Sequence, residues 1–250
     1  MLSFLQRYKF ANTPTVLFLH IPKCAGNSVY SMFQRALGTD SVFIPYMDGP
    51  ANMQAISELS ENEKKKIKAV CAHMCYGAHK FFKKYQYVTL IREPVERVIS
   101  SYYFSLSNPN DFGNKLIKEQ ELSLKEFARR PELYNLQTRY LSSFPFSCKD
   151  WHIKPPEDIN YKIEVMRIKK RLEKEFIFGL VEDMQGFIKM ISNKLNIDLN
   201  TNVNSNKTVY RPEINEIDKE TIKEIKKNNE HDIELYQFVQ NYINKKANSP

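Results

Sequence analysis

The chain has 250 residues, 42% of them apolar, 26% charged and only 7 of them glycine, which is enough apolar matter for one large core. This composition excludes collagen-like, low-complexity and mainly disordered chains. The 37 basic and 29 acidic residues leave a net charge of +8, which suits an anionic ligand, although solvated Lys-rich faces would give the same balance.

The predicted elements run as follows. Residues 15–20, TVLFLH, form a short apolar run after Pro14 and read as a buried strand. Residues 27–37 carry Val29, Met32, Phe33, Ala36 and Leu37 in a helical stripe that Gly38 ends. Residues 68–73 and 85–91 are the second and third strands. Residues 93–106 read as a helix with Pro94 in its first turn, where a missing N–H costs nothing. Arg97 there reads as an ion-pair partner of Glu93, four residues before it. Residues 124–129 and 131–141 look helical, 143–156 a Pro-rich loop with the single Trp151, and 157–175 a charged helix. Residues 176–181, FIFGLV, are a fourth strand, followed by a helix over 184–195, a polar loop over 196–211 and one or two amphipathic helices over 214–243.

Strands that alternate with helices predict an α/β fold, a three-layer P-loop-like arrangement with a mostly parallel central sheet and a helical C-terminal part. We read it as a single domain over 1–250. Such sheets bind ligands beyond the carboxyl ends of their strands. Cys24, Cys71, Cys75 and Cys148 lack the spacing of a small disulfide scaffold and read as reduced thiols. No apolar run reaches the roughly 18–20 residues of a membrane span, and the N-terminal apolar stretch is too short for a signal peptide. The expectation is a soluble, cytoplasmic protein with no integral membrane segment.

Two segments carry chemistry. The first is 20–28, HIPKCAGNS, between the first strand and the first helix. A helix N-terminus presents unpaired N–H groups and a favourable dipole end to an anion. Gly26 lets the backbone approach a phosphate, Ser28 offers a hydroxyl and Lys23 a point charge, with Cys24, Ala25 and Asn27 completing the loop. An ATP-type loop puts Lys directly after its last Gly and before Ser or Thr. Here Lys23 precedes Gly26 by three residues, and the nearest acidic candidate for Mg²⁺ is Glu182. No metal is expected.

The second is 70–79, VCAHMCYGAH, at the end of the second strand. Cys71, His73, Cys75 and His79 have a metal-like flavour. Alternate residues on a strand lie about 6.6 Å apart, so three in a row do not close on one ion without a bend. A catalytic His and a buried, hydrogen-bonded His both remain open from the residues alone.

The loop HIPKCAGNS resembles the 5′-phosphosulfate loop of the glycan sulfotransferases that include the heparan sulfate 2-O- and 6-O-sulfotransferases, whose usual text is close to PKTAGTS. This chain departs from it at Cys24 and Asn27, where Thr is usual. Residues 87–104, YVTLIREPVERVISSYYF, resemble the same family's 3′-phosphate segment, in which an Arg at the strand end and a Ser eight residues later grip the 3′-phosphate. These map to Arg92 and Ser100. The resemblance implies 3′-phosphoadenosine 5′-phosphosulfate (PAPS) as donor, a hydroxyl-bearing acceptor such as a carbohydrate, and no nucleic acid partner. It also implies a His general base after the second strand, at His73, with His79 as runner-up and His20 lining the site. His suits that role because its ordinary pKa lies near working pH. Residues 204–211, NSNKTVYR, resemble a loop that closes over the nucleotide, with Lys207, Thr208 and Arg211 as contacts. Residues 134–141, YNLQTRYL, offer Asn135, Gln137 and above all Arg139 on the acceptor side, and Trp151 is a candidate to stack on a sugar. A Mg²⁺-dependent kinase and a non-enzymatic basic module are the competing readings. The first would need metal ligands and a Lys beside Ser or Thr, and the second would need no nucleotide and would lose affinity steeply with salt.

Overall fold

A computed structural model describes residues 13–45, 49–142, 160–199 and 211–247. Its elements in chain order are β1 (Thr15–Leu19), α1 (Gly26–Leu37), β2 (Val42–Phe43), α2 (Gly49–Ser57), α3 (Glu61–Lys66), β3 (Ala69–Ala72), β4 (Tyr85–Ile91), α4 (Pro94–Ser107), α5 (Phe112–Glu119), α6 (Leu124–Ala128), α7 (Leu136–Leu141), α8 (Tyr161–Glu175), β5 (Phe176–Leu180), α9 (Met184–Leu195), α10 (Lys219–Asn228) and α11 (Glu230–Ala247).

The five strands form one parallel sheet in the order β2-β3-β1-β4-β5. A parallel sheet covered on both faces needs strands that are apolar at every position, and TVLFL meets that demand: Val16, Leu17, Phe18 and Leu19 are all buried. Leu17 pairs with Val70 on one side and Tyr87 on the other, so β1 is the central strand. The Thr89 hydroxyl donates to the Leu19 carbonyl at 2.9 Å and pins the end of β1 to β4. Truncating the fully buried Phe18 to Ala would cost roughly 3–5 kcal/mol.

From β1 the chain passes through β2 and β3 on one side, then crosses to β4 and β5 on the other. The crevice at the carboxyl end of β1 is therefore the topological switch point, with the ends of β3 and β4 flanking it. Both chemistry-bearing segments leave the sheet there.

The α/β class, the parallel sheet and the helical C-terminal part agree with the expectation. The sequence does not predict the two-residue β2 or the helices α2, α3 and α5, because each is at most nine residues long, too short for a periodic pattern to stand out. A signal for α3 was present: Ser60 and Glu63 form a reciprocal capping box. The expected helix over 131–141 is broken, with a 3₁₀ turn at Pro131–Leu133 and Asn135 at φ 47° before α7 begins. Asn135 and Asp232 join α7 to α11. The Asp232 carboxylate accepts from the Gln137 and Thr138 amides at 3.0 and 2.7 Å, while Asn135 Oδ1 accepts from the His231 and Asp232 amides at 3.0 and 3.2 Å. Each helix thus receives a side-chain oxygen from the other at its N-terminus, where unpaired N–H groups need acceptors.

Two side-chain expectations are overturned. Arg97 does not pair with Glu93. It is fully buried and its Nη2 donates to the Leu133 carbonyl at 3.3 Å, while the Glu93 carboxylate caps the Glu96 amide at 2.7 Å. The N-terminal turn of α4 offers that carboxylate a nearer donor. Nor are all cysteines thiols: Cys24 and Cys71 are free, but Cys75 is disulfide-bonded, which spacing along the chain does not reveal. Cys148 lies outside the described residues. Among the described residues no helix is long and apolar enough to cross a membrane.

Candidate active site

The loop 20–28 leaves β1 and enters α1. Lys23 and Ala25 both adopt the left-handed backbone, at φ 69° and 58°, which costs non-glycine residues roughly 1–2 kcal/mol each. Strain of this kind is kept where a turn must hold a particular shape for function. The N-cap residue Ala25 supplies no side-chain acceptor, and the first turn of α1 holds no acidic residue. The helix therefore turns an uncapped, positive N-terminus toward the crevice. Packing also requires Gly26: a Cβ there would fall on the His20 ring.

Lys23 reaches across to α4, where its ammonium sits 3.5 Å from the centroid of the Phe104 ring. Burial, reinforced by the positive charge of Arg92, lowers its pKa from 10.5 to about 8. Arg92, just past β4, donates to the Lys23 carbonyl at 3.0 Å and to Glu96 at 3.2 Å. Glu96, Ser100 and Phe104 stand four residues apart and so share one face of α4. Phe104 meets Lys23 of the loop and Glu96 meets Arg92, with the buried Ser100 between them. Arg211 pairs with the same Glu96 carboxylate. Lys23, Arg92 and Arg211 thus converge on the crevice, a concentration of charge that suits more than one phosphate or sulfate.

His73 follows β3. Its Nδ1 lies 2.9 Å from the His20 carbonyl. A carbonyl only accepts, so Nδ1 carries the proton and, in the neutral ring, Nε2 carries the lone pair. The His73 ring stacks on the His20 ring at 4.2 Å, and His20 Nδ1 shares a 2.5 Å hydrogen bond with Tyr30 of α1. Burial holds the His20 pKa well below 6.5, and the neighbouring His73 and Lys23 add to that effect. His20 is a neutral spacer that joins the loop to His73.

Other candidates fall elsewhere. His79 sits among tyrosines, its ring 5.1 Å from Tyr85 and its Nδ1 3.2 Å from the Tyr87 hydroxyl. Those tyrosines begin β4, whereas Arg92 follows its far end, about 20 Å along the strand. Arg139 is buried, with Nη1 on the Glu132 carbonyl at 2.6 Å. Asn27 is exposed at the loop and Ser28 half-buried. Lys207, Thr208 and Trp151 lie outside the described residues. Glu182 accepts from the Glu93 amide at 2.9 Å. Among the described residues no three His, Cys, Asp or Glu side chains are grouped as metal ligands. Glu96 and Phe104 join the site without being singled out by any of the sequence motifs. Their signal was the i, i+4 spacing that puts them in line with Ser100.

An uncapped helix N-terminus, a set of converging cations and a tautomer-fixed imidazole stand together at the switch point of a parallel sheet, an arrangement suited to group transfer from an anionic substrate. The family model described as "Sulfotransferase family" matches residues 6–239, and the chain belongs to that family. Its chemistry is accordingly the transfer of a sulfuryl group. A search of curated proteins returned no match.

Proposed function

We propose that the protein moves the sulfuryl group of PAPS to a hydroxyl of an acceptor, with a carbohydrate as the leading class, and that His73 is the general base. The observation that carries this reading is the convergence of three features at adjacent strand ends: the Lys23 loop after β1, the Arg92–Ser100 stripe after β4 and His73 after β3. The 5′-phosphosulfate is assigned to Lys23, Cys24, Ala25, Gly26, Asn27 and Ser28. The 3′-phosphate is assigned to Arg92, Ser100 and Arg211, with Lys207 and Thr208 added on the sequence resemblance.

In the transfer step the acceptor hydroxyl gives its proton to His73 Nε2. Its oxygen forms a new bond to sulfur as the bond from sulfur to the 5′-phosphate oxygen breaks. The electron pair leaves on that oxygen, giving adenosine 3′,5′-bisphosphate. Lys23 and the α1 amides stabilise the charge that develops there. Alignment of the two substrates supplies much of the rate.

The test is His73→Ala, read with labelled PAPS and a panel of glycans and small alcohols. Sulfuryl transfer should fall by about 10²–10⁴-fold, while affinity for adenosine 3′,5′-bisphosphate stays within a factor of about three. Unchanged turnover would remove His73 from the role of base. Wild-type protein that ignores PAPS and hydrolyses Mg-ATP would remove the functional reading itself.

A further inference from the structure

Gln137 is a buried residue of α7 that touches both anion-binding segments. Its side chain is fully buried. Oε1 accepts from the Arg92 amide at 2.9 Å and from Cys24 Sγ at 3.6 Å, and Nε2 donates to the Arg92 carbonyl at 2.9 Å. The orientation of the amide is not ambiguous, because a backbone N–H only donates and a carbonyl only accepts. Burial pushes the Cys24 thiol up to about 12, so it remains S–H and serves as the donor to Oε1. The backbone of Gln137 is itself anchored, its amide donating to the buried Asp232 carboxylate at 3.0 Å.

We propose that Gln137 is a positioning residue that sets the distance between the 5′-phosphosulfate loop and the 3′-phosphate segment, and so selects a nucleotide carrying both groups. This rests on the donor assignment proposed above. Arg92 and Cys24 stand 68 positions apart in the chain and belong to different strand-helix connections. Sheet hydrogen bonds align β1 with β4 but end at the strands, before either loop. Past that point one amide grips both the N–H and the C=O of Arg92 and holds the loop through Cys24. A ligand whose two phosphates are fixed on one ribose requires that distance. A ligand with a single phosphate does not.

The distinguishing measurement is a ratio of affinities, adenosine 3′,5′-bisphosphate against adenosine 5′-monophosphate, taken by calorimetry on the whole chain. Wild type should favour the bisphosphate by at least tenfold. In Gln137→Met that preference should fall by about tenfold, with the monophosphate affinity within a factor of about two of wild type. Cys24→Ala releases the loop end of the bridge and, besides it, only the 3.8 Å contact of the thiol with the Pro22 carbonyl. It should lower the same ratio by about threefold, and it decides the matter if Gln137→Met does not fold. A Gln137→Met protein that keeps the full preference, or loses both ligands in proportion, would overturn the positioning role while leaving the donor assignment standing. A wild type with no preference for the bisphosphate would instead overturn the donor assignment.

Discussion

Lys23 is the residue whose charge is most finely balanced. It sits between Arg92 and Arg211, which oppose its protonation, and Asp111, which favours it, with burial outweighing them all. Its folded pKa of about 8 lies below the unfolded 10.5, so the buried ammonium opposes folding below about pH 8, and that cost disappears as pH rises toward 10.5. A bound phosphate or sulfate reverses the balance, because an adjacent anion favours the cation. Binding of adenosine 3′,5′-bisphosphate at a pH just above 8 should therefore take up a fraction of a proton. Calorimetry in buffers of different ionisation enthalpy reads that uptake directly. It should vanish in Lys23→Met, and equal heats in all buffers for wild type would show that Lys23 does not face the ligand. The Arg92 and Arg211 assignments gain from the same geometry, since Glu96 already holds both guanidinium groups at the crevice.

At the scale of elements, the α7–α11 junction does most to place Gln137. α7 is only six residues long and too short to be stable by itself. Asp232 accepts three hydrogen bonds from it, two from amides and one from the Thr138 hydroxyl at 2.8 Å. Asp232→Ala would strand those donors in a fully buried place. We expect a loss of roughly 3–5 kcal/mol in chemical unfolding, together with weaker nucleotide binding in the protein that remains folded. A change below about 1 kcal/mol would show that α7 is held by its apolar contacts instead. The sequence made this junction hard to see. Its partners lie some 95 positions apart, and the turn at Asn135 interrupts what reads in the sequence as one helix over 131–141.

The state of the cysteines bears on the whole molecule. A disulfide at Cys75 persists where thiols are not kept reduced, so it argues for an oxidising compartment over the cytoplasmic setting expected from the sequence. Thiol titration of the denatured protein should find more reactive groups with reductant than without it. Four in both conditions would restore the cytoplasmic reading. By itself the sequence determined the α/β class, the strand-to-helix loop at 20–28 and the placing of Arg92 and Ser100 after one strand, eight residues apart. These follow from local information: a continuous apolar run for a buried strand, Gly and Ser at a helix entry, and an eight-residue spacing on one helix. Tertiary structure decided the rest. It placed His73 just past the carboxyl end of β3 and His79 among the tyrosines that begin β4, at opposite ends of the sheet. It turned Arg97 inward, gave Gly26 a His20 ring to make room for, and brought Gln137 between Cys24 and Arg92. Each of those outcomes depends on which side chains meet across the fold, and separation along the chain carries no record of that.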